Sequence, residues 1–338
     1  MLESQLKFKD IKNLELEKIK EVVKIIDIPP HLRPNLWMFL LNFLPKNKFK
    51  IENFIEKRHK VYKMYFYKET RKMVLDYKYP SIPHKKTLND DFGLLKNLCV
   101  ISCDIDRVFL KIDLETNKCL ILDEEIENYV IDDFTSTEKR ITHRKILRRI
   151  LLTYKSINPE MEYMQGMHSL LLPIYYTITE KATNSNIKTE AITFFCFVNL
   201  IADLQNQFSP KMDNEKTGTY SLLKEVYIIL KKFDKETHTF YKNMDILEYN
   251  LHLKWLYCIF AGDFEIDEVC WLWDKIFASK NIVKTTQIFC SAVFIICRNK
   301  CNGLSTEEII LILQDFKSYC LPNDIYEMYK KISQKLKI

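Results

Sequence analysis

Residues 138–156 read Glu138-Lys-Arg-Ile-Thr-His-Arg-Lys-Ile-Leu-Arg-Arg-Ile-Leu-Leu-Thr-Tyr-Lys-Ser156. Leu147, Ile150, Leu151 and Tyr154 recur at i, i+3, i+4 and i+7, which gathers them along one side of a helix of 3.6 residues per turn. Arg144, Lys145, Arg148 and Arg149 take the other side, where a solvated face is the plain expectation. Outward from this stretch, the same period predicts helices over 5–26, 35–44, 49–77, 191–204, 219–233, 252–260, 266–278, 285–298, 305–316 and 323–335. A further helix follows Asn158-Pro159 and is expected to hold Gln165, with Pro173 kinking or interrupting it. Residues 78–91, 179–190 and 209–218 read as loops, and the acidic stretch 111–138 as a connecting insertion. No stretch alternates in the manner of a strand. The expected fold is all-α, in two helical lobes with a seam near residues 205–220.

The 338 residues suffice for one large domain or two packed ones. Glycine is scarce: Gly93, Gly166, Gly218, Gly262 and Gly303 are the full set, with no two closer than 41 positions. A G-x-G-x-x-G or G-x-x-x-x-G-K loop is therefore impossible, so the chain does not cradle a nucleotide of its own in either common way. The net charge of +6 is mild for this size and does not argue for nucleic acid. The ten cysteines are scattered, several inside apolar runs such as Phe194-Phe-Cys-Phe197, and read as buried free thiols. Cys99/Cys103 and Cys297/Cys301 lack flanking histidines, so no metal site is expected. The apolar runs near 169–178 and 288–297 are too short to span a bilayer. Together with the free thiols this suggests a cytoplasmic setting.

Two short motifs lie 58 positions apart. One is Ile101-Ser-Cys-Asp104-Ile-Asp-Arg107, expected as a short loop after the apolar stretch 98–101; the other is Tyr163-Met-Gln165-Gly166. Alone, each is ordinary: Arg107 reads as an ion-paired surface side chain, Gln165 as a polar residue beside a helix-packing glycine. Together they supply what phosphoanhydride hydrolysis needs, an arginine to neutralise charge developing on the γ-phosphate and a glutamine to align the attacking water. A guanidinium suits that role because its planar fork contacts phosphate bidentately. Asp104, three residues before Arg107, is placed to orient it, and Gly166 allows another backbone close approach. His168, one turn beyond Gln165, reads as a packing residue. Ile28-Pro-Pro-His-Leu-Arg33-Pro-Asn-Leu-Trp37 and Trp271-Leu-Trp273-Asp274-Lys-Ile-Phe277 read as structural, with their tryptophans as core anchors.

In order along the chain, these stretches resemble the TBC domain of GTPase-activating proteins for Rab-type small GTPases. Asp27-Ile-Pro29 through Arg33 and Trp37 are similar to the family's opening. Ile101, Asp104 and Arg107 fall on its I-x-x-D-x-x-R motif, and Tyr163, Gln165 and Gly166 on its Y-x-Q-G motif. Trp255–Phe260 and Leu272-Trp273-Asp274 with Phe277 are similar to its C-terminal helices. The stretch from Asn158 to Tyr176 is most similar to the subgroup of TBC domain family member 13.

The resemblance implies a two-lobed, V-shaped helical TBC domain over 26–335. Its N-terminal lobe would span about 26–208 and its C-terminal lobe about 209–335, with 1–25 as a helical extension packed on it. It implies an activator rather than an enzyme in its own right. Arg107 and Gln165 would act as fingers in trans, supported by Asp104, Tyr163 and Gly166, with Arg33, Trp37, Trp273 and Asp274 as the structural motif. The partner would be a Rab-type small GTPase in its GTP form, holding the GTP and Mg, with no cofactor on this chain. Any membrane association would be indirect, peripheral on endomembranes and in vesicle trafficking. Three positions depart from the pattern: Asp27 for glycine, Val108 for threonine and Glu162 for glycine. A carboxylate at 162 would repel phosphate if it faced the site. The rival reading is therefore a silent TBC scaffold that binds a GTPase or another partner without stimulating hydrolysis.

Overall fold

A computed structural model of the chain describes residues 15–45, 51–65, 100–107, 142–158, 163–180, 185–204 and 218–338. The expected loop 78–91, the acidic stretch 111–138, most of the loop 209–218, and Val108 and Glu162 all lie outside those residues. The described residues carry no β-strand. They form two compact units: the described residues of Pro29–Leu200, and those of Leu14–Ile28 with Ile201–Ile338.

The first helix is α1 (Leu16–Ile25), and it belongs to the second of these units. The Pro29–Leu200 unit contains α2 (Arg33–Leu40), α3 (Ile51–Tyr65), α4 (100–107), α5 (His143–Ile157) and α6 (Met167–Ile178). It also contains most of α7 (Ile187–Asp203), in whose last turn the boundary falls. Thr142 starts α5 by accepting a hydrogen bond from the Lys145 backbone N–H at 3.3 Å, which satisfies one of the first turn's orphan donors. The stripe Leu147, Ile150, Leu151 and Tyr154 is buried as expected, against α6. Each such aliphatic side chain contributes about 1.5–3 kcal/mol on burial. Lys145 is exposed as expected, but the arginines of the cationic side do not form the solvated face its pattern suggests. Arg149 is 1% exposed, and its guanidinium meets the equally buried Glu190 of α7, with Nε 2.7 Å from Oε1. Tyr62 of α3 donates to the same Oε1 at 2.6 Å, so one buried carboxylate joins three helices. A single acid on a distant helix thus overrides the amphipathic pattern, since a buried cation must be paired.

Pro173 neither breaks nor interrupts α6, which runs continuously through it. Leu170, Leu171, Ile174, Tyr175, Tyr176 and Ile178 are all buried, and packing on nearly every side outweighs the one lost backbone hydrogen bond. α2 packs on α6, with Leu36 and Trp37 wholly buried.

The second unit continues with α8 (Thr219–Phe233), α9 (Lys235–Asn243), α10 (Leu253–Cys258) and α11 (Ile266–Phe277). It closes with α12 (Ile282–Cys297), α13 (Thr306–Gln314) and α14 (Pro322–Leu336). α12 is buried almost all round, between α8 and α14. α9 has no counterpart among the expected helices. Only Thr237 and Tyr241 of its nine residues are buried, too few to make a stripe. Asp234 caps it by accepting from the Thr237 N–H at 3.0 Å and its hydroxyl at 2.7 Å.

α1 is fastened to α11. The buried Lys275 ammonium donates to the carbonyls of Val23 at 2.8 Å and Ile26 at 2.7 Å, satisfying orphan acceptors at the end of α1. Trp271 Nε1 donates to Asp27 Oδ1 at 2.7 Å, which gives the departure at position 27 a structural use. After α10 the chain enters the left-handed region at Ile259 (φ 49°) and Phe260 (φ 61°), conformations a β-branched or bulky side chain resists. Trp273 holds this turn, its Nε1 donating to the Ile259 carbonyl at 2.8 Å.

Candidate functional site

Both motifs lie in the Pro29–Leu200 unit. The sequence predicts a loop at Arg107; the described residues 100–107 are helical instead, with Arg107 the last of them. One turn of helix carries Asp104 and Arg107 at i and i+3, so both side chains leave the same side. Ile101 and Ile105 are buried and anchor that turn, while the Arg107 side chain is 65% exposed.

Gln165 is not inside a helix. It is exposed, in a turn that ends where α6 begins at Met167. Gly166 causes the break, since its φ of 106° is left-handed and cannot continue a right-handed helix. A side chain at 166 would resist that conformation, so glycine there holds Gln165 in a turn.

Asp104 joins the two motifs. Its carboxylate is 2% exposed. Tyr163 donates its hydroxyl hydrogen to Asp104 Oδ2 at 2.9 Å, across 59 residues of sequence. The other oxygen, Oδ1, accepts from Arg107 Nη1 at 3.4 Å. His168, in the first turn of α6, places Nδ1 at 3.3 Å from both Asp104 Oδ2 and the Tyr163 hydroxyl. A buried carboxylate left without donors costs several kcal/mol, so this gathering of donors fits its burial.

A second clamp holds the neighbouring acid. Arg144 Nη1 of α5 donates to Asp106 Oδ1 at 3.0 Å and to the Ile105 carbonyl at 3.3 Å, and Arg148 Nη2 lies 3.6 Å from the same Asp106 oxygen. Sequence reading alone missed Arg144, Arg148 and His168 as parts of this site. The arginines stand at i and i+4, but pairing with an acid 38 residues away has no periodic signature.

Among the remaining expected residues, Trp37 is fully buried and Arg33 is 6% exposed in the same unit, while the fully buried Trp273 and Asp274 belong to the other unit. Of the described cysteines, Cys103 is exposed on 100–107 and seven others are buried free thiols. Among the described residues no cluster could hold a metal ion, and no helix is long and apolar enough to cross a membrane.

The mouse protein TBC1 domain family member 13 is 30% identical over 175 residues, which are 52% of this chain and 44% of the mouse protein. The chain thus spans less than half the length of that relative. The Saccharomyces cerevisiae GTPase-activating protein GYP1 is 21% identical over 267 residues, 73% of this chain and 35% of the yeast one. The crystal structure of the Ypt/Rab-GAP domain of Gyp1p superposes with a TM-score of 0.72 at 18% identity, covering 98% of this chain and 97% of that one, and so shares its all-helical fold. The family model for the Rab-GTPase-TBC domain matches residues 30–301, which include both motifs, and the chain accordingly belongs to the Rab-GTPase-TBC domain family.

Proposed function

We propose that the protein activates a Rab-type small GTPase in its GTP form, lending Arg107 and Gln165 to a hydrolysis carried out in the partner's site. One observation carries this reading: the buried Asp104 carboxylate ties Tyr163 of one motif to Arg107 of the other. Two residues far apart in sequence are thereby held in one frame, as a shared transition state requires. Arg107 is exposed beyond its contact with Asp104, so it is available to a partner while pre-oriented. Entering the partner's site, the guanidinium would meet charge on the transferring phosphoryl group, and Gln165 would align the attacking water. An arginine finger is worth roughly 10³–10⁵ in rate, or about 4–7 kcal/mol of barrier. GTP and Mg belong to the partner, and this chain forms no covalent intermediate. The name of the yeast relative GYP1, a GTPase-activating protein, supports the same activity. Membrane association would follow from the Rab, at the surface of endomembranes.

The test is phosphate release from a panel of GTP-loaded Rab proteins. Acceleration of at least one, lost in Arg107→Ala and strongly reduced in Gln165→Ala, is the expected result. Binding of a GTP-loaded Rab with no acceleration would establish the scaffold reading instead.

A further inference from the structure

We infer that His168 is a positioning residue for Arg107, acting through the carboxylate of Asp104. The inference rests on the two-finger reading above. Asp104 is buried and has two oxygens with separate duties: Oδ1 faces Arg107, and Oδ2 receives Tyr163 at 2.9 Å. Rotation about Cβ–Cγ carries both oxygens together, so whatever fixes Oδ2 also keeps Oδ1 towards the guanidinium. His168 reinforces that hold at the same oxygen, with Nδ1 3.3 Å from Oδ2 and 3.3 Å from the Tyr163 hydroxyl that donates to it.

The imidazole is itself held. Its ring is 12% exposed, and Nε2 lies 3.2 Å from the Ser169 hydroxyl. If that hydroxyl donates to Nε2, the ring hydrogen sits on Nδ1, the tautomer that can donate to the Asp104–Tyr163 pair. His168 is also the second residue of α6, and Gly166, whose left-handed turn presents Gln165, immediately precedes that helix. One rigid helix start therefore carries the glutamine's turn and the group that orients the arginine's carboxylate. A ring that merely filled space could be replaced by an apolar side chain of similar size without consequence for catalysis.

The experiment compares His168→Leu, which keeps volume without a donor, with His168→Asn, whose amide nitrogen takes the place of Nδ1. Hydrolysis of a responsive GTP-loaded Rab is followed over a range of Rab concentrations, with thermal melting as the control for folding. His168→Leu should lower kcat about tenfold with KM changed less than about twofold, as expected for one charge-assisted hydrogen bond used in the transition state. His168→Asn should stay within about threefold of the parent kcat.

Equal kcat for the parent and His168→Leu overturns the inference and leaves the proposed function standing. A parent chain that accelerates no Rab overturns the function itself. In that case, or if His168→Leu does not fold, the imidazole 15N spectrum of the parent decides. Hydrogen on Nδ1, with that resonance perturbed in Asp104→Asn, is the expected result. Hydrogen on Nε2 with Nδ1 bare overturns the inference.

Discussion

Replacing Tyr163 with phenylalanine removes one oxygen and leaves the ring. The lost contact is a 2.9 Å hydrogen bond to a buried carboxylate. Hydrogen bonds to charged groups contribute about 1.5–3 kcal/mol. If all of that acts in the transition state, the rate falls about 10- to 150-fold, at 1.36 kcal/mol per decade. The lower half of that range is expected, because His168 stays within 3.3 Å of the same oxygen. The assay is single-turnover GTP hydrolysis by a responsive Rab, with Tyr163→Phe made both in the parent and in Arg107→Ala. Since Tyr163 acts on the arginine through Asp104, its loss should cost less than about twofold once the arginine is gone. The same factor in both backgrounds would refute the linkage. So would a rise in KM at unchanged kcat, which would place Tyr163 in Rab binding rather than in orienting Arg107.

Arg144→Ala removes the donor to Asp106 and to the Ile105 carbonyl; activity should fall about tenfold while binding of a GTP-loaded Rab, measured by titration, is kept. Glu190→Gln leaves Arg149 buried beside a neutral partner and should cost about 3–5 kcal/mol in urea unfolding, whereas a loss under about 1 kcal/mol would mean the pair contributes little. Trp273→Phe frees the Ile259 carbonyl and should destabilise by about 1–3 kcal/mol, with activity per folded molecule unchanged. Burial holds His143 and His252 near pKa 4, below the ordinary 6.5. Their folded pKa values are depressed, so their stabilising contribution is complete above about 6.5 and is lost as pH falls towards 4. The urea midpoint should drop between pH 7 and pH 5, and a flat profile would refute these burials.

Helices with a continuous apolar stripe were legible from spacing alone, as Thr219–Phe233 shows. The polar α9 was not, because a side-chain cap and two buried residues make it, and neither registers as periodicity. The motif residues themselves could be read: Asp104, Arg107 and Tyr163 meet in one cluster. Their local settings could not. Gly166 has one letter in the sequence but many conformations, and only its left-handed φ shows that Gln165 sits in a turn. The cationic side of α5 misled for a related reason. Whether an arginine is solvated depends on acids elsewhere, here Glu190 and Asp106, which no pattern within the helix can reveal.

The lysine clasp on α1 bears on how the chain is made. The Lys275 ammonium lies 252 residues after the Val23 carbonyl that it caps. At the usual pace of translation, about 5–20 residues per second, the clasp is synthesised roughly 13–50 s after the helix end it closes. During that interval Ile19 and Val23 have no α11 to cover them. α1 is thus a late closure on early sequence.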